Sequence, residues 1–384
     1  MKQKILYFVP DCPVAGAAGN ITRFKQMLGY LNQASESCEV DFVSISDWGE
    51  WNSDTIKKFK ILYPNINLIL LPRKIDKKKV LKSIFLYKIP NAIPKLLRGT
   101  SIDISNPFLH RKFTKIINSK LYDKIIISYA TWGSLIKDIK YKSYLIVDTH
   151  DFITAQNRNK KSKIGKYFQT EIDIINRFDE IWTFSSEEKY IFEQFSDKKV
   201  VHQPIAFEHQ PLVKKSVYKY DIIYVASRNP HNIKGINWFL NEVLPLIDSK
   251  HKVHIIGRIG QEIKQPHHNV IIHGLVDDIT DFYQNCRITI CPMLSGTGVK
   301  IKVLESLSYN IPVVTNRRGV DGLSNKSDNG CVVADCPQKF AEAINQLISD
   351  DDYYRHQQQL AFDFFSQNHN LATEKIFFNR FLSS

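Results

Sequence analysis

The sequence predicts an α/β protein made of two successive parallel-sheet units, and three observations carry that expectation. Short β-branched or apolar runs alternate with helix-period segments along most of the 384 residues, the pattern of parallel sheets covered on both faces by helices. The series of runs begins afresh after Pro204 to Val213, a stretch with two prolines and no periodicity that reads as a linker. The length itself suits about two domains of ordinary size.

Taken in order, the first unit offers strands at Ile5–Val9, Val40–Ser44, Leu68–Leu71, Lys124–Ser128, Leu145–Asp148 and Glu180–Phe184. The second offers Asp221–Ala226, Val253–Ile256, Val270–His273, Ile288–Ile290, Pro312–Thr315 and Cys331–Val333. Pro337–Ser349 and Asp351 to Ser384 read as helices, with a break expected at Asn368–Asn370. The expected division is 1–205, 206–365 and a final helical stretch, 366–384.

Composition narrows the function classes. With 43% hydrophobic and 24% charged residues the chain is a packed globular protein, neither disordered nor fibrous. No apolar run approaches the roughly 18 residues of a bilayer span, and Ile5 to Val9 is too short for a signal peptide, so a cytoplasmic location is expected. The six cysteines form no Cys-x-x-Cys pair and read as reduced thiols. The twelve histidines include no His-Glu-x-x-His, and no metal is assigned. Charge is uneven: residues 1–205 hold 33 Lys and Arg against 21 Asp and Glu, nearly all of the net +13. A basic half of this kind suits nucleic acid, an anionic membrane or an anionic acceptor.

Ligands of open α/β sheets bind where the strands end, so the loops leaving those ends are the candidates. Pro10 to Asn20 contains Gly16-Ala-Ala-Gly19-Asn20, with Arg23 on the helix beyond; its small residues let a ligand approach the backbone or simply make a tight turn. Ser227-Arg228 through Lys234-Gly235 places two cations beside a helix start, which suits a diphosphate, though two solvated charges are the plainer reading. The strongest signal is Cys291 to Thr315, where Gly296, Thr297 and Gly298 open a turn and Lys300 adds charge. The N–H groups of a helix starting at Gly298 can cradle phosphate oxygens, and Glu305, one to two turns inside, can accept both hydroxyls of a ribose. The competing reading is a Lys302–Glu305 surface pair. A nicotinamide-dinucleotide fingerprint fails for want of its third glycine, and no phosphate loop of the Gly-x-x-x-x-Gly-Lys type occurs.

The run Cys291 to Leu323, with Gly-x-Gly-x-Lys-x-Lys-x-Leu-Glu, Ile-Pro-Val-Val-Thr and Gly319-Val-Asp-Gly-Leu, resembles the nucleotide-sugar site of retaining glycosyltransferases of family 4. Tyr224-Val-Ala-Ser-Arg228, Trp238-Phe-Leu, Ile255-Ile-Gly257 and Gly274-Leu-Val-Asp-Asp are similar to the same family in order and spacing. The likeness spans roughly residues 220 to 323 and loosens in the first half, where Glu171 to Glu188 carries it. It implies the glycosyltransferase-B fold, two Rossmann-like domains facing across a cleft, the second binding the donor and the first the acceptor, with residues 371–383 returning to the first domain. It implies that Arg228 and Lys234 face the diphosphate, Glu305 the ribose and the Gly274–Val276 loop the base. It also makes His150, after strand Leu145–Asp148, the partner of the transferred sugar, with Asp151 orienting it or taking the acceptor proton; the local alternative is a capped turn with His150 satisfied in place. One departure stands out: Thr297 occupies the place of a second family glutamate that touches the donor sugar.

These readings lead to an expected function: sugar transfer from a nucleotide-sugar donor to a saccharide or lipid-linked acceptor, in bacterial surface polysaccharide synthesis such as lipopolysaccharide or capsule. Retention of configuration follows from the resemblance. The only plain Asp-x-Asp, Asp350–Asp352, lies in an acidic helical stretch, so Arg228, Lys300, Lys234 and the helix start are expected to stabilise the departing diphosphate without a metal or other cofactor. A nucleotide-sugar epimerase on the same fold is the alternative enzyme; nucleic acid is not expected as a partner, since no binding motif accompanies the charge. Between Arg73 and Arg98 nine basic residues face the single acid Asp76, interleaved with apolar side chains. Such a segment is expected to lie on an anionic membrane, making the protein peripheral to the inner face of the plasma membrane; an amphipathic helix with solvated lysines is the alternative.

Overall fold

The computed structural model describes residues 2–15, 19–75, 102–213, 215–264 and 267–383. The chain divides into two compact units: Met1–Phe184 with Glu188–Gln203 and Phe378–Ser384, and Ser185–Glu187 with Pro204–Phe377. Gly16 and most of the basic segment 73–98 lie outside the described residues.

The first unit is a parallel sheet of β1 (Gln3–Phe8), β2 (Cys38–Ile45), β3 (Ile66–Leu71), β4 (Lys124–Ser128), β5 (Tyr144–Asp148), β6 (Glu180–Thr183) and β7 (Lys199–His202). Its order is β3-β2-β1-β4-β5-β6-β7, so the winding reverses between β1 and β4. β4 is buried at all five positions and β1 at its last four, the near-continuous burial of a sheet covered on both faces. The covering helices are α1 (Gly19–Gln33), α2 (Ser53–Leu62), α3 (Pro107–Ile117), the short α4 (Ile153–Gln156), α5 (Ile164–Ile175) and α6 (Ser186–Phe195). Asn52 starts α2 with a reciprocal capping box through Thr55, and Asn106 followed by Pro107 starts α3. At the heart of this core Phe8 meets Phe113 and Trp132 edge to face at 5.4 and 5.8 Å, contacts worth about 0.5–1.5 kcal/mol each beyond burial.

The second unit repeats the plan. β8 (Tyr220–Val225), β9 (Val253–Ile256), β10 (Val270–Gly274), β11 (Cys286–Cys291), β12 (Val313–Thr315) and β13 (Cys331–Val333) form a parallel sheet ordered β10-β9-β8-β11-β12-β13. The winding reverses between β8 and β11. Its helices are α7 (Pro230–Trp238), α8 (Thr280–Asn285), α9 (Ile301–Ser308), α10 (Pro337–Ser349), α11 (Asp351–Asn368) and α12 (Leu371–Ser383). The end of α12 belongs with the first unit, where Phe378 stacks on Tyr30 at 4.4 Å and Phe381 meets Trp182 edge to face at 5.4 Å.

The strands lie where the sequence placed them, with ends shifted by two residues at most. β7 was not expected; Lys199-Val-Val-His is short and half-buried, so no alternation marks it. The architecture of two parallel-sheet α/β units is that of the glycosyltransferase-B class.

Candidate functional site

In each sheet the reversal of winding leaves a crevice at the carboxyl ends of two adjacent strands, and the candidate side chains gather at these two places.

In the second unit β8 and β11 are neighbours, which brings the Ser227–Pro230 loop and α7 against the Cys291–Lys300 loop. The approach is close: a Cβ on Gly235 would stand 1.8 Å from the Pro292 carbonyl oxygen. His231 Nδ1 lies 2.9 Å from Ser295 Oγ across the same junction. Gly296 and Gly298 have φ of +104° and +75°, values that L side chains avoid, so the turn requires them. Thr297, between them, is half-buried.

The helix after this loop begins at Ile301, not at Gly298 as the sequence suggested, because Lys300 is still extended, at φ −93° and ψ 97°. Two residues, Val299 and Lys300, therefore separate Gly298 from the helix's first residue. Lys300 is buried, and its ammonium donates to the carbonyl oxygens of Gly298 and, at 3.2 Å, Thr297. Burial lowers its pKa. A cation held by loop carbonyls, with no carboxylate paired to it among the described residues, keeps its charge available to an arriving anion.

Lys302 does not pair with Glu305 on the surface. Its ammonium donates to Asn232 Oδ1 at 2.6 Å and lies 4.9 Å from the centre of the Tyr224 ring, while Asn232 donates in turn to the Ser227 carbonyl at 2.9 Å. Lys302 thus ties α9 to α7 and the β8 loop. Glu305 accepts from Tyr283 Oη at 3.2 Å; burial pushes its carboxyl up to about 7, against the opposing pull of that hydrogen bond and of Lys302.

The remaining residues expected here are at the rim. Arg228 is more than half exposed and pairs with Glu262. Lys234 is exposed on α7. Gly274 ends β10 at φ +70°, accepts a hydrogen bond from Gly257 N, and has open space where a side chain would sit.

In the first unit β1, β4 and β5 end together, and there His150 occupies an unusual turn. Asp151 N donates to Thr149 O at 2.7 Å, which closes a three-residue turn with His150 at its centre at φ +60°. This sign of φ belongs to the rarer and more strained γ-turn. The ring lies stacked on Tyr129 at 4.4 Å and edge-on to Phe184 and Phe24 at 4.7 and 5.0 Å. Tyr129 itself has φ +66°. Below the ring lies Asp148, and below that the fully buried Arg23. Burial would raise the Asp148 pKa, but His150 and Arg23 hold the carboxyl down at about 2. His150 Nε2 lies 3.3 Å from Asp148 Oδ2, and Nδ1 has no hydrogen-bond partner among the described residues. Gly19 begins α1 at the mouth of the β1 loop.

The sequence missed Arg23's role, the Lys302–Asn232 tie, His231, Tyr283 and Glu262. Each acts through a partner distant in the chain, and no local pattern announces that. Glu171 is fully buried and accepts from the N–H groups of Ile153 and Thr154 at 2.8 and 2.7 Å, a structural cap on α4. Among the described residues there is no group of three His, Cys, Asp or Glu side chains suited to a metal ion, and no helix long and apolar enough to cross a membrane.

Comparison with known proteins agrees with this geometry. Residues 219–350, which hold the whole of the second constellation, match the family model described as glycosyl transferases group 1. An uncharacterized 44.6 kDa protein in the cps region of Klebsiella pneumoniae is 26% identical over 162 residues, a match covering 38% of this chain and 41% of that protein. The crystal structure of Anabaena Alr3699/HepE in complex with UDP and glucose superimposes with a TM-score of 0.69 at 13% identity, covering 99% of each chain. WaaG, a glycosyltransferase involved in lipopolysaccharide biosynthesis, superimposes with a TM-score of 0.54 at 9% identity, covering 94% of this chain and 95% of its own. The family match is confined to the second unit, while the fold is shared along nearly the whole chain.

Proposed function

We propose that this chain transfers a sugar from a nucleotide-sugar donor to a saccharide or lipid-linked acceptor in the synthesis of a surface polysaccharide. The observation that carries the reading is the Gly296–Glu305 element at the crevice between β8 and β11. A positive-φ glycine turn, a buried ammonium with no carboxylate paired to it among the described residues and a half-buried carboxylate follow one another within ten residues, the order in which phosphate and ribose follow one another in a nucleotide.

In this reading the diphosphate lies against the Gly296–Gly298 backbone. Lys300 leaves its carbonyl partners for the phosphate oxygens, and the Glu305 carboxylate accepts from the ribose hydroxyls. The bond between the anomeric carbon and the phosphate oxygen breaks, and its electron pair stays on the diphosphate, where Lys300 and the cations of the Arg228 loop stabilise it in place of a metal. The acceptor hydroxyl bonds to the same face of the anomeric carbon, and its proton passes to the departing phosphate oxygen, so configuration is retained. His150 contacts the transferred sugar and Asp151 lies beside it. Thr297, a neutral hydroxyl, meets the donor sugar.

The test is a thermal-shift panel of nucleotide sugars, starting from UDP-glucose, with Glu305→Ala as control. One ligand should raise the melting temperature by mass action, and the folded variant should lose that shift. No stabilisation by any nucleotide sugar, or an equal shift in Glu305→Ala, would refute the donor site. We further propose that the basic segment 73–98 holds the protein on anionic lipid, where such an acceptor is presented. Flotation with anionic liposomes at low salt should carry the protein upward, and changing Lys77, Lys78, Lys79 and Lys82 to Glu should abolish it; a protein unbound at low salt would refute the membrane role.

A further inference from the structure

The first unit buries an arrangement that its packing does not explain. Arg23, Asp148 and the His150 side chain are at most 1% exposed, at the ends of α1 and β5, in a region otherwise closed by Phe24, Tyr129 and Phe184. His150 Nδ1, Asp148 Oδ1 and Arg23 Nη1 have no hydrogen-bond partner among the described residues, and His150 Nε2 has only Asp148 Oδ2, in a contact of poor hydrogen-bond angle. Leaving buried polar atoms unpaired costs about 1–3 kcal/mol each, and holding His150 in its positive-φ turn adds to that cost. A turn serving only to connect β5 to α4 would carry glycine or asparagine at this position.

The geometry ranks the two ring nitrogens. Nε2 lies 3.3 Å from Asp148 Oδ2, and Arg23 Nε lies 3.4 Å from the same oxygen. Arg23 is fixed in turn by its bond to Gln203 Oε1 and by the Phe184 ring 4.8 Å from its guanidinium carbon. An ionised carboxylate only accepts hydrogen bonds, so the nitrogen facing it must carry the proton, and a neutral imidazole has one proton to place.

We propose that Arg23 and Asp148 are positioning residues: Arg23 anchors the Asp148 carboxylate, and the carboxylate fixes His150 as its Nε2–H tautomer. Nδ1 is then a bare acceptor, which under the transfer reading above receives a hydrogen bond from a hydroxyl of the transferred sugar. The ring therefore selects donors that present a free hydroxyl at that point. Arg23 of α1 and the last residue of β5 thereby set the polarity of a contact that neither makes itself.

The tautomer can be read on the free protein without any nucleotide sugar. Long-range proton–nitrogen spectra at about pH 8, where an ordinary imidazole is neutral, distinguish the two forms, and subtraction of a His150→Phe spectrum isolates this ring among the twelve. Expected is a single fixed form with the proton on Nε2; a proton on Nδ1, or an exchange-averaged pair of signals, overturns the proposal. Removing one partner would strand the other's charge in the interior, so the variant of choice removes both, Arg23→Met with Asp148→Leu. It should fold, lose the fixed tautomer and lower kcat about tenfold or more, with the KM for the acceptor unchanged. A retained tautomer or an unchanged kcat overturns the positioning role; if the double variant does not fold, Asp148→Asn, whose amide can turn its NH2 toward Nε2, should no longer hold the single Nε2–H form, and full retention of that form there overturns the claim. Failure of the wild type to turn over any nucleotide sugar would count against transfer, while the ring's proton would still be read directly.

Discussion

Glu305 should make donor binding depend on pH across neutrality. Its carboxyl sits at about 7 because burial outweighs the Tyr283 hydrogen bond and the Lys302 charge. A ribose diol donates to the ionised form, so binding should be linked to loss of that proton. With half-ionisation near 7, about a tenth of the free protein is competent at pH 6 and about nine tenths at pH 8. The association constant should therefore rise about tenfold over that interval, or roughly 1.4 kcal/mol. Isothermal titration with whichever nucleotide sugar the panel selects measures it, since the diphosphate diester has no group titrating there. Glu305→Gln should bind more weakly and without the slope. The same linkage acts on folding: the folded chain without ligand holds a proton that the unfolded chain gives up at 4.5, so stability falls as pH rises from 4.5 through about 7. Above that window Glu305→Gln should be the more stable protein, by on the order of 2–3 kcal/mol. An affinity that stays flat from pH 6 to 8, or a slope that survives in Glu305→Gln, would show that this carboxylate does not meet the ribose.

Three further outcomes are expected. Gly235→Ala should cost about 3 kcal/mol in urea unfolding, since its Cβ would fall 1.8 Å from the Pro292 carbonyl, whereas Gly165→Ala, with nothing within 4 Å, should be neutral or slightly stabilising; equal costs would mean that the α7–loop contact yields freely. His254 Nδ1 and His273 Nε2 lie 2.9 Å apart, and burial followed by its neighbour's charge lowers the His254 pKa to about 4; stability should be lost as pH falls from 6.5 toward 4, and a His254→Val, His273→Val protein should show a shallower slope in its melting temperature over that range. Transfer should survive excess EDTA while Lys300→Met loses about a hundredfold in kcat; a strict need for added Mg or Mn would mean that a metal supplies the charge assigned to Lys300.

How far the fold was legible follows from burial. Strands such as Lys124–Ser128 and Val253–Ile256 are buried along their whole length, so their composition alone marks them, and the sequence bounds match the structure. β7 escapes because it keeps one exposed and three half-buried positions, and a lysine at its start satisfies solvent as readily as a sheet. Within the site, glycines were legible for the same kind of reason: a positive φ is a local demand, and Gly296, Gly298 and Gly274 meet it at the positions the spacing singled out.

Charged side chains obey a different rule, and there local reading was weakest. Arg228 and Asn232 are four positions apart, yet the first turns outward to Glu262 while the second turns inward to receive Lys302. Nothing in the neighbouring sequence distinguishes an exposed cation from a buried one, because the distinction is made by a partner 34 positions away in one case and 70 in the other. A buried charge must be paired or it shifts its pKa. Hence the informative cations are those whose partners fall short of pairing them: Lys300, held only by carbonyl oxygens, and Arg23, with one nitrogen left over beside an aspartate that also serves a histidine. Each stands at the switch point of its own sheet, where the winding reverses and leaves room for a ligand. The fold supplies the two switch points from strand order alone; in the proposed transfer it is the incompletely paired cations that suit each of them to an anion or a sugar rather than to water.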